Sequence, residues 1–135
     1  MDRLTPEQRS ALMSKVRGRD TAPEMTVRKM AHAMGYRYRL YRKDLPGHPD
    51  LVFSRLRKVI LVHGCFWHAH EGCKLYRLPS SHREFWEAKF ASNKSRDQRV
   101  RKALQELGWQ VLVVWQCQTK DPATLQNTLL HFLST

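Results

Sequence analysis

Residues 59–73 read VILVHGCFWHAHEGC, an apolar run that leads directly into a stretch crowded with cysteine, histidine and aromatic side chains. A short continuous apolar run of this kind favours a buried central strand over residues 59–62. His63 lies at the end of that strand, and the polar stretch follows it. We therefore expect the sheet and a functional site to meet at this point of the chain.

The stretch contains a candidate metal site. Cys65, His70 and Cys73 follow the spacing Cys-x4-His-x2-Cys, which lets three donors from one loop converge on a tetrahedral zinc ion. The third cysteine of the chain, Cys117, follows another apolar run and can close a structural Cys3His site if that strand ends beside the loop. Two alternatives use the same thiols, a disulfide between Cys65 and Cys73 and a thiolate nucleophile near histidines.

Length and charge limit the classes of function. The 135 residues suit one compact domain, and 24 Lys and Arg against 12 Asp and Glu give a net charge of +12. This balance favours DNA or RNA as partner over a membrane surface, because no segment has the length of a bilayer span or a clean interfacial stripe. With reduced thiols and no signal peptide ahead of it, the chain is predicted to be soluble and cytoplasmic.

Caps and periodicity predict an alternation of helices and strands. Residues 1–20 are expected to form a helix and a basic arm that contact DNA. Beyond them the predicted elements are a helix from Thr21–Pro23 to Gly35, strands over 36–41, 51–53 and 59–62, a helix from about His82 to Gly108, a strand over 109–115 and a last helix from Asp121 or Pro122. Phe85, Trp86 and Phe90 recur at helical spacing and are expected in the core.

An acid and a histidine are predicted to meet in this sheet. The turn over residues 45–49 delivers Asp50 at the head of one strand, and the next strand delivers His63. Metal-dependent active sites are commonly assembled in this way. The order helix, strands, helix, strand, helix around a mixed sheet flanked by helices is the layout of the restriction-endonuclease-like α/β core.

Four segments carry a resemblance to a known family. They are LPGHPD over 45–50, HGCFWH over 63–68, EFW over 84–86 and LQELGW over 104–109. From about Arg9 to Cys117 the chain resembles the very short patch repair (Vsr) DNA mismatch endonucleases. We divide the single nuclease domain, 1–135, into the N-terminal arm 1–20, a catalytic core 21–117 that contains the zinc loop 63–73, and a C-terminal helix within 118–135.

The resemblance implies a set of catalytic residues. A catalytic magnesium would be held by the carboxylate of Asp50 and the backbone carbonyl of Val62. The family usually has threonine at Val62, so a side-chain role is lost there while a carbonyl role survives. His63 and His68 would activate water and assist the leaving oxygen, and Glu24 would orient one of these histidines.

The resemblance also implies a set of DNA contacts. Phe66 and Trp67 would enter the base stack beside the mismatch, and Met13 would enter from the opposite groove. Lys89 and Asn93 would contact the mismatch region. Because a mismatched base step costs less to open than a paired one, such wedges give a physical source of mismatch preference.

These inferences predict a magnesium-dependent, zinc-stabilised endonuclease that nicks one strand 5′ to the thymine of a T:G mismatch and so begins the repair of deaminated 5-methylcytosine. The expected partner is double-stranded DNA with a T:G mismatch. Other repair proteins are further candidate partners, and nicking of one strand requires only a monomer. Two alternatives stay open: a nuclease of the same fold with a different DNA target, and a zinc-containing DNA-binding module without catalysis.

Overall fold

The computed structural model describes residues 21–135, so the predicted arm 1–20 and the predicted DNA wedge Met13 lie outside the described residues. In chain order the elements are helix α1 (Ala22–Ala33), strands β1 (Leu51–Phe53) and β2 (Lys58–His63), helix α2 (Arg83–Glu106), strand β3 (Gln110–Trp115) and helix α3 (Pro122–Ser134). Among the described helices, none combines the length and apolarity that crossing a bilayer demands.

Strand β2 lies at the centre of a mixed sheet with the order β1-β2-β3. β1 runs antiparallel to β2, and the two are joined through a short 3-10 segment, Ser54–Leu56. β3 runs parallel to β2, in register from Lys58 opposite Gln110 to His63 opposite Trp115. A parallel neighbour requires a crossover, which α2 supplies as predicted. Because β2 is covered on both faces, its apolar residues are continuous and do not alternate with polar ones.

Local signals set the helix ends. The Thr21 hydroxyl accepts a hydrogen bond of 3.4 Å from the Glu24 amide at the start of α1. The Asp121 carboxylate accepts one of 3.3 Å from the Thr124 amide at the start of α3. Gly108 follows α2 with φ of +91°, a conformation that glycine adopts without strain. These predicted boundaries are confirmed.

Alternate residues of the strands enter two separate hydrophobic clusters, as expected for a sheet covered on both faces. The first cluster joins the sheet to α1 and α3, and its buried members are Val27, Ala31, Leu51, Phe53, Ile60, Val114, Leu125, Leu129 and Leu133. The second joins the sheet to α2, and its buried members are Leu45, Val52, Val59, Leu104 and Trp109. The mixed α/β architecture flanked by helices is therefore confirmed.

Two predictions from local pattern are wrong. Residues 36–41 form an irregular segment, not a strand, in which only Arg39 pairs with Val52. Tyr41 turns the chain away with φ of +49°, which interrupts an extended run. Phe85 is 61% exposed, not buried, because it lies in the first turn of α2, whereas Phe90 one turn later packs in the interior.

Candidate active site and metal centre

The carboxylate of Asp50 and the end of β2 line one cavity. Its volume is about 410 Å³, and its walls include Glu24, Asp50, Val62, His63 and His68. Asp50 Oδ2 accepts a hydrogen bond of 2.6 Å from the Val62 amide, which fixes the carboxylate against β2. The fold therefore brings together the five residues for which the sequence predicted catalytic or magnesium-binding roles.

The backbone of Val62 faces Asp50. β1 pairs with β2 only as far as Ile60, and the Val62 amide beyond it donates to Asp50 Oδ2. In an extended strand the N–H and C=O groups of one residue point to the same side. The Val62 carbonyl therefore lies on the same edge of the sheet as the Asp50 carboxylate, and this placement is independent of the side chain at position 62.

Burial changes the acidity of Asp50. It raises the pKa of the carboxyl from 3.8 to about 7; the Val62 amide opposes this shift, and the negative charge of Glu24 adds to it. A cation beside Asp50 would favour the ionised form and remove the penalty. A buried carboxylate and a carbonyl on one edge of the sheet are hard oxygen donors, which fit a magnesium ion.

The loop before Asp50 is held against α2. Gly47 has φ of +73°, and a Cβ atom placed there would lie 2.4 Å from Val100 Cγ1 of α2. His48 follows with φ of +44°. Because only glycine permits this close approach, the LPGHPD segment fixes the distance between Asp50 and the helix that forms the opposite wall of the cavity.

Glu24 reaches the cavity from the first turn of α1. Its carboxylate accepts hydrogen bonds from Arg28 Nη2, at 3.1 Å, and from the Tyr41 hydroxyl. Neither bond runs to a histidine, so the orienting role that was expected of Glu24 stays a prediction. Sequence reasoning missed Arg28 and Tyr41, although Arg28 has the i,i+4 spacing from Glu24 that pairs opposite charges on a helix.

The two predicted catalytic histidines stack on each other. The ring centroids of His63 and His68 lie 3.9 Å apart, with an angle of 3° between the rings. Burial, and after it the charge of a protonated His68, lowers the pKa of His63 to about 3. His63 is therefore a neutral ring near pH 7.

Asp97 is a member of the site that sequence reasoning missed. His68 Nδ1 lies 2.6 Å from Asp97 Oδ2, and Asp97 lines the same cavity. The Asp97 carboxylate fixes the orientation of the His68 ring through Nδ1. The other ring nitrogen, Nε2, is not used in this contact. The available signal was the i,i+4 spacing of Asp97 from Asn93 on α2, which places both on one face of the helix.

The predicted zinc ligands also converge. One ligand atom from each of Cys65, His70, Cys73 and Cys117 lies within 4.8 Å of the others. The gap from Cys117 Sγ to His70 Nδ1 is 3.6 Å, and Cys65 Sγ accepts from the Cys117 amide at 3.4 Å. Thiolate sulfurs around a tetrahedral zinc lie at such separations, because each zinc–sulfur bond is about 2.3 Å long. The donor set and its closure fit a structural zinc ion.

The structure bears on both alternatives for the thiols. All three cysteines are free, so Cys65 and Cys73 form no disulfide. Burial raises the pKa of Cys65 to about 12, which is opposite to what a thiolate nucleophile needs, whereas the hydrogen bond from the Leu75 amide lowers the pKa of Cys73. The Gln116 side chain accepts from the Cys65 amide at 3.3 Å and ties the loop to the end of β3.

Comparison with known proteins identifies the family to which these sites belong. The family model described as DNA mismatch endonuclease Vsr matches residues 1–75. The type II nicking enzyme V.XorIIP of Xanthomonas oryzae pv. oryzae is 51% identical over 132 residues, which cover 98% of this chain and 96% of that protein. The chain belongs to the Vsr family. The resemblance predicted from the sequence is confirmed.

Two further relatives cover most of α2 and β3, beyond the residues that the Vsr family model matches. The DNA mismatch endonuclease Vsr of Escherichia coli (strain K12) is 41% identical over 122 residues, which cover 90% of this chain and 78% of that protein. The type II nicking enzyme V.NmeAIP of Neisseria meningitidis serogroup A is 38% identical over 128 residues, covering 95% of this chain and 91% of that protein. Membership of the Vsr family supports a DNA endonuclease activity for the chain.

The predicted aromatic wedges of this Vsr chain pack against α2. Phe66 and Trp67 are half-buried and contact each other at a centroid distance of 5.1 Å. Phe66 also contacts Phe90 at 5.2 Å, so part of this aromatic surface is anchored in the interior. The buried Asn93 donates from Nδ2 to the Trp67 carbonyl at 2.8 Å, which holds the loop on α2. Contact of Phe66, Trp67, Lys89 and Asn93 with DNA stays a prediction.

Proposed function

We propose that this Vsr-family protein is a magnesium-dependent endonuclease that nicks one DNA strand 5′ to the thymine of a T:G mismatch. The observation that carries the proposal is the convergence of Asp50, His63 and His68 in one cavity of a Vsr chain. The nick would begin very short patch repair of deaminated 5-methylcytosine. The restriction-endonuclease-like fold is proposed on the same basis, because the mixed sheet delivers the acid and the histidine from neighbouring strands.

The catalytic magnesium would be held by the Asp50 carboxylate and the Val62 carbonyl. When bound, such an ion neutralises charge on the phosphate and on the leaving 3′ oxygen. The Val62 amide holds Asp50 in place through its 2.6 Å hydrogen bond, so the carboxylate is already oriented before any cation enters. Pre-organisation of this kind reduces the cost of reaching the reactive geometry.

The two histidines are suited to opposite proton transfers. His63 would accept a proton from the attacking water; burial leaves its ring unprotonated for this role and at the same time lowers its basicity. His68 Nδ1 lies 2.6 Å from the Asp97 carboxylate, which orients the ring so that Nε2 would deliver a proton to the leaving oxygen. Because the rings stack, a positive charge on His68 disfavours protonation of His63.

Positive charge favours contact of the cavity and its surroundings with DNA. The chain has a net charge of +12, and Arg96 lines the cavity from an exposed position on α2. A guanidinium that lines the same cavity as the Asp50 carboxylate can pair with a phosphate oxygen. Lys89 and Asn93 on the same helix would contact the mismatch region, and Phe66 and Trp67 would unstack the mismatched step, with Met13 opposite.

The zinc site is proposed as a structural element. Cys65, His70, Cys73 and Cys117 use four ligands from the zinc loop and the segment after β3, so no ligand position is left for substrate. The zinc would hold the loop that contains the aromatic wedges against the end of the sheet. We further propose that the protein acts as a cytoplasmic monomer on chromosomal DNA, and that other repair proteins are candidate partners.

A strand-resolved nicking assay tests the function. Duplexes labelled on either strand carry T:G, U:G or fully paired T:A at one position and are incubated with and without magnesium. The proposal expects a magnesium-dependent nick 5′ to the mismatched thymine. Equal cutting of all three duplexes would indicate a nuclease with a different target, and tight binding without cutting would indicate a non-catalytic DNA-binding module.

Two variants complete the test. Asp50→Ala should abolish nicking and leave mismatch binding intact, because it removes the metal-binding carboxylate and no predicted DNA contact. Asp44→Ala is the matched control, since Asp44 lies in the same loop but pairs with Arg42 at the surface, at 2.6 Å. Full nicking by Asp50→Ala would refute the assignment of the site.

A further inference from the structure

Four rings form a continuous row between the zinc cluster and the proposed active site. His70 stacks on Trp115 with a centroid distance of 4.0 Å and an angle of 5°. Trp115 meets His63 edge-on at 5.2 Å and 80°, and His63 stacks on His68 at 3.9 Å. We call His70, Trp115, His63 and His68 the ring row. Trp115 is the only member without an assigned role in either site.

The two histidines of the active site are oriented by different means. His68 has a hydrogen bond to Asp97. In the part of the chain that the structure describes, the ring of His63 has no hydrogen bond and is bounded by ring contacts with His68 and Trp115. The χ2 torsion of histidine is broad and does not define a ring plane by itself. The orientation of His63 therefore depends on packing.

In the contact between His63 and Trp115, the position of Trp115 is fixed by its backbone. Trp115 is the residue of β3 directly opposite His63 in the parallel pairing. Its amide donates to the Gln118 side chain at 2.8 Å. The indole is half-buried and lines a second cavity, of about 350 Å³, together with Val113 from the same face of β3. Filling of the core alone does not explain an indole that borders an open cavity.

We infer that Trp115 is a positioning residue for the proposed reaction, one that holds the ring plane of His63 and is itself held by the candidate zinc ligand His70. This inference rests on the proposed function, because it concerns the histidines of that active site. The zinc loop would then affect catalysis as well as stability, because the stacked His70 ring sets the plane of the Trp115 indole. Loss of the planar ring at position 115 should disturb catalysis more than substrate binding.

The test compares Trp115→Phe with Trp115→Leu. Both variants remove side-chain volume, but only phenylalanine keeps a planar ring for His70 and His63 to contact. Trp115→Leu should lower kcat for T:G nicking by about 10- to 100-fold, the range expected for a misplaced catalytic group, with KM and mismatch Kd unchanged. Trp115→Phe should retain most of the wild-type kcat. Val113→Ala, which changes the same cavity without touching the ring row, should behave as wild type.

A second readout is independent of activity. The Cε1–H signals of His63 and His68, assigned by NMR through His→Gln variants, should be single and sharp in wild type and in Trp115→Phe. They should be broadened or doubled in Trp115→Leu, because the His63 ring loses its fixed plane. If Trp115→Leu does not fold, Trp115→Met, with its flexible unbranched side chain, takes its place in both measurements.

Three results would overturn the inference. Equal kcat in the Leu and Phe variants would show that no ring is needed. A loss of bound zinc or of thermal stability in the Leu variant alone would show a purely structural role. Unchanged histidine signals in the Leu variant would show that packing at Trp115 does not orient His63. Absence of nicking by the wild-type protein would count against the proposed function, and the NMR comparison would still decide the role of Trp115.

Discussion

Replacement of Asp50 by asparagine should stabilise the protein and abolish its nicking activity. Asparagine has nearly the same shape and keeps an oxygen that can accept the hydrogen bond from the Val62 amide. It cannot ionise, so it removes the cost of a buried negative charge next to Glu24. It also binds magnesium poorly, because a neutral amide replaces a carboxylate.

The magnitude follows from the pKa of Asp50, which burial raises from 3.8 to about 7. A raised carboxyl pKa means that the folded state favours the protonated form. The contribution of the protonated Asp50 carboxyl to the free energy of unfolding is complete below pH 3.8 and is lost as the pH rises to about 7. A pKa difference of this size between the unfolded and folded states corresponds to at most about 4 kcal/mol of unfolding free energy. Water penetration and relaxation reduce such penalties, so we expect asparagine to stabilise by about 2 kcal/mol above pH 7.

Urea denaturation of wild type and Asp50→Asn in magnesium-free buffer measures this effect. The stability difference should grow by about 1 to 2 kcal/mol between pH 5 and pH 8. Magnesium should stabilise only the wild type, by about 2.7 kcal/mol at a hundred times its Kd. Asp44→Asn should show no gain at pH 8, because the hydrogen bond from Arg42 lowers the pKa of Asp44. A constant difference across pH, or a less stable Asp50→Asn protein at pH 8, would refute the reasoning.

Three further changes test other parts of the structure. Cys117→Ser should lower the zinc content measured by metal analysis and cost on the order of a few kcal/mol in unfolding free energy, whereas full zinc content would contradict the assigned ligand set. Asp97→Asn should lower single-turnover nicking by about 100-fold at unchanged mismatch affinity, because the His68 ring loses its charged partner; an equal loss of affinity would contradict this role. Gly47→Ala should destabilise by about 1 to 3 kcal/mol in chemical denaturation, since the new Cβ would meet Val100 Cγ1 at 2.4 Å, and the double variant with Val100→Ala should recover part of the loss.

Much of the fold could be predicted because its signals are local. The apolar run in β2, the cap at Thr21 and the cap at Asp121 each act within a few residues of the element that they define. The segment 36–41 shows where local pattern fails. Its alternation of aromatic and basic residues is typical of a strand, but the backbone turns at Tyr41, where φ is +49°, and Arg39 alone pairs with β1.

The candidate site was predictable where a residue is part of a motif and not where it acts across the fold. His63, His68 and Asp50 lie in recognisable segments, whereas Asp97 is one of four acidic residues on α2 and belongs to no such segment. Its contact with His68 joins positions 29 apart in the chain. Tyr41 reaches Glu24 across 17 positions, and this contact depends on the turn that the alternating pattern concealed. Such contacts follow from tertiary packing.

The parallel pairing of β2 with β3 also imposes an order of events on synthesis of the chain. Cys65, His70 and Cys73 leave the ribosome within one short loop, but Cys117 follows Cys65 by 52 positions, after the whole of α2 and β3. A nascent chain can therefore offer a soft cation only an open, three-ligand loop. Tight retention of the ion would begin when the last strand docks beside β2, so metal capture would mark the moment at which the aromatic loop and the catalytic cavity are both complete.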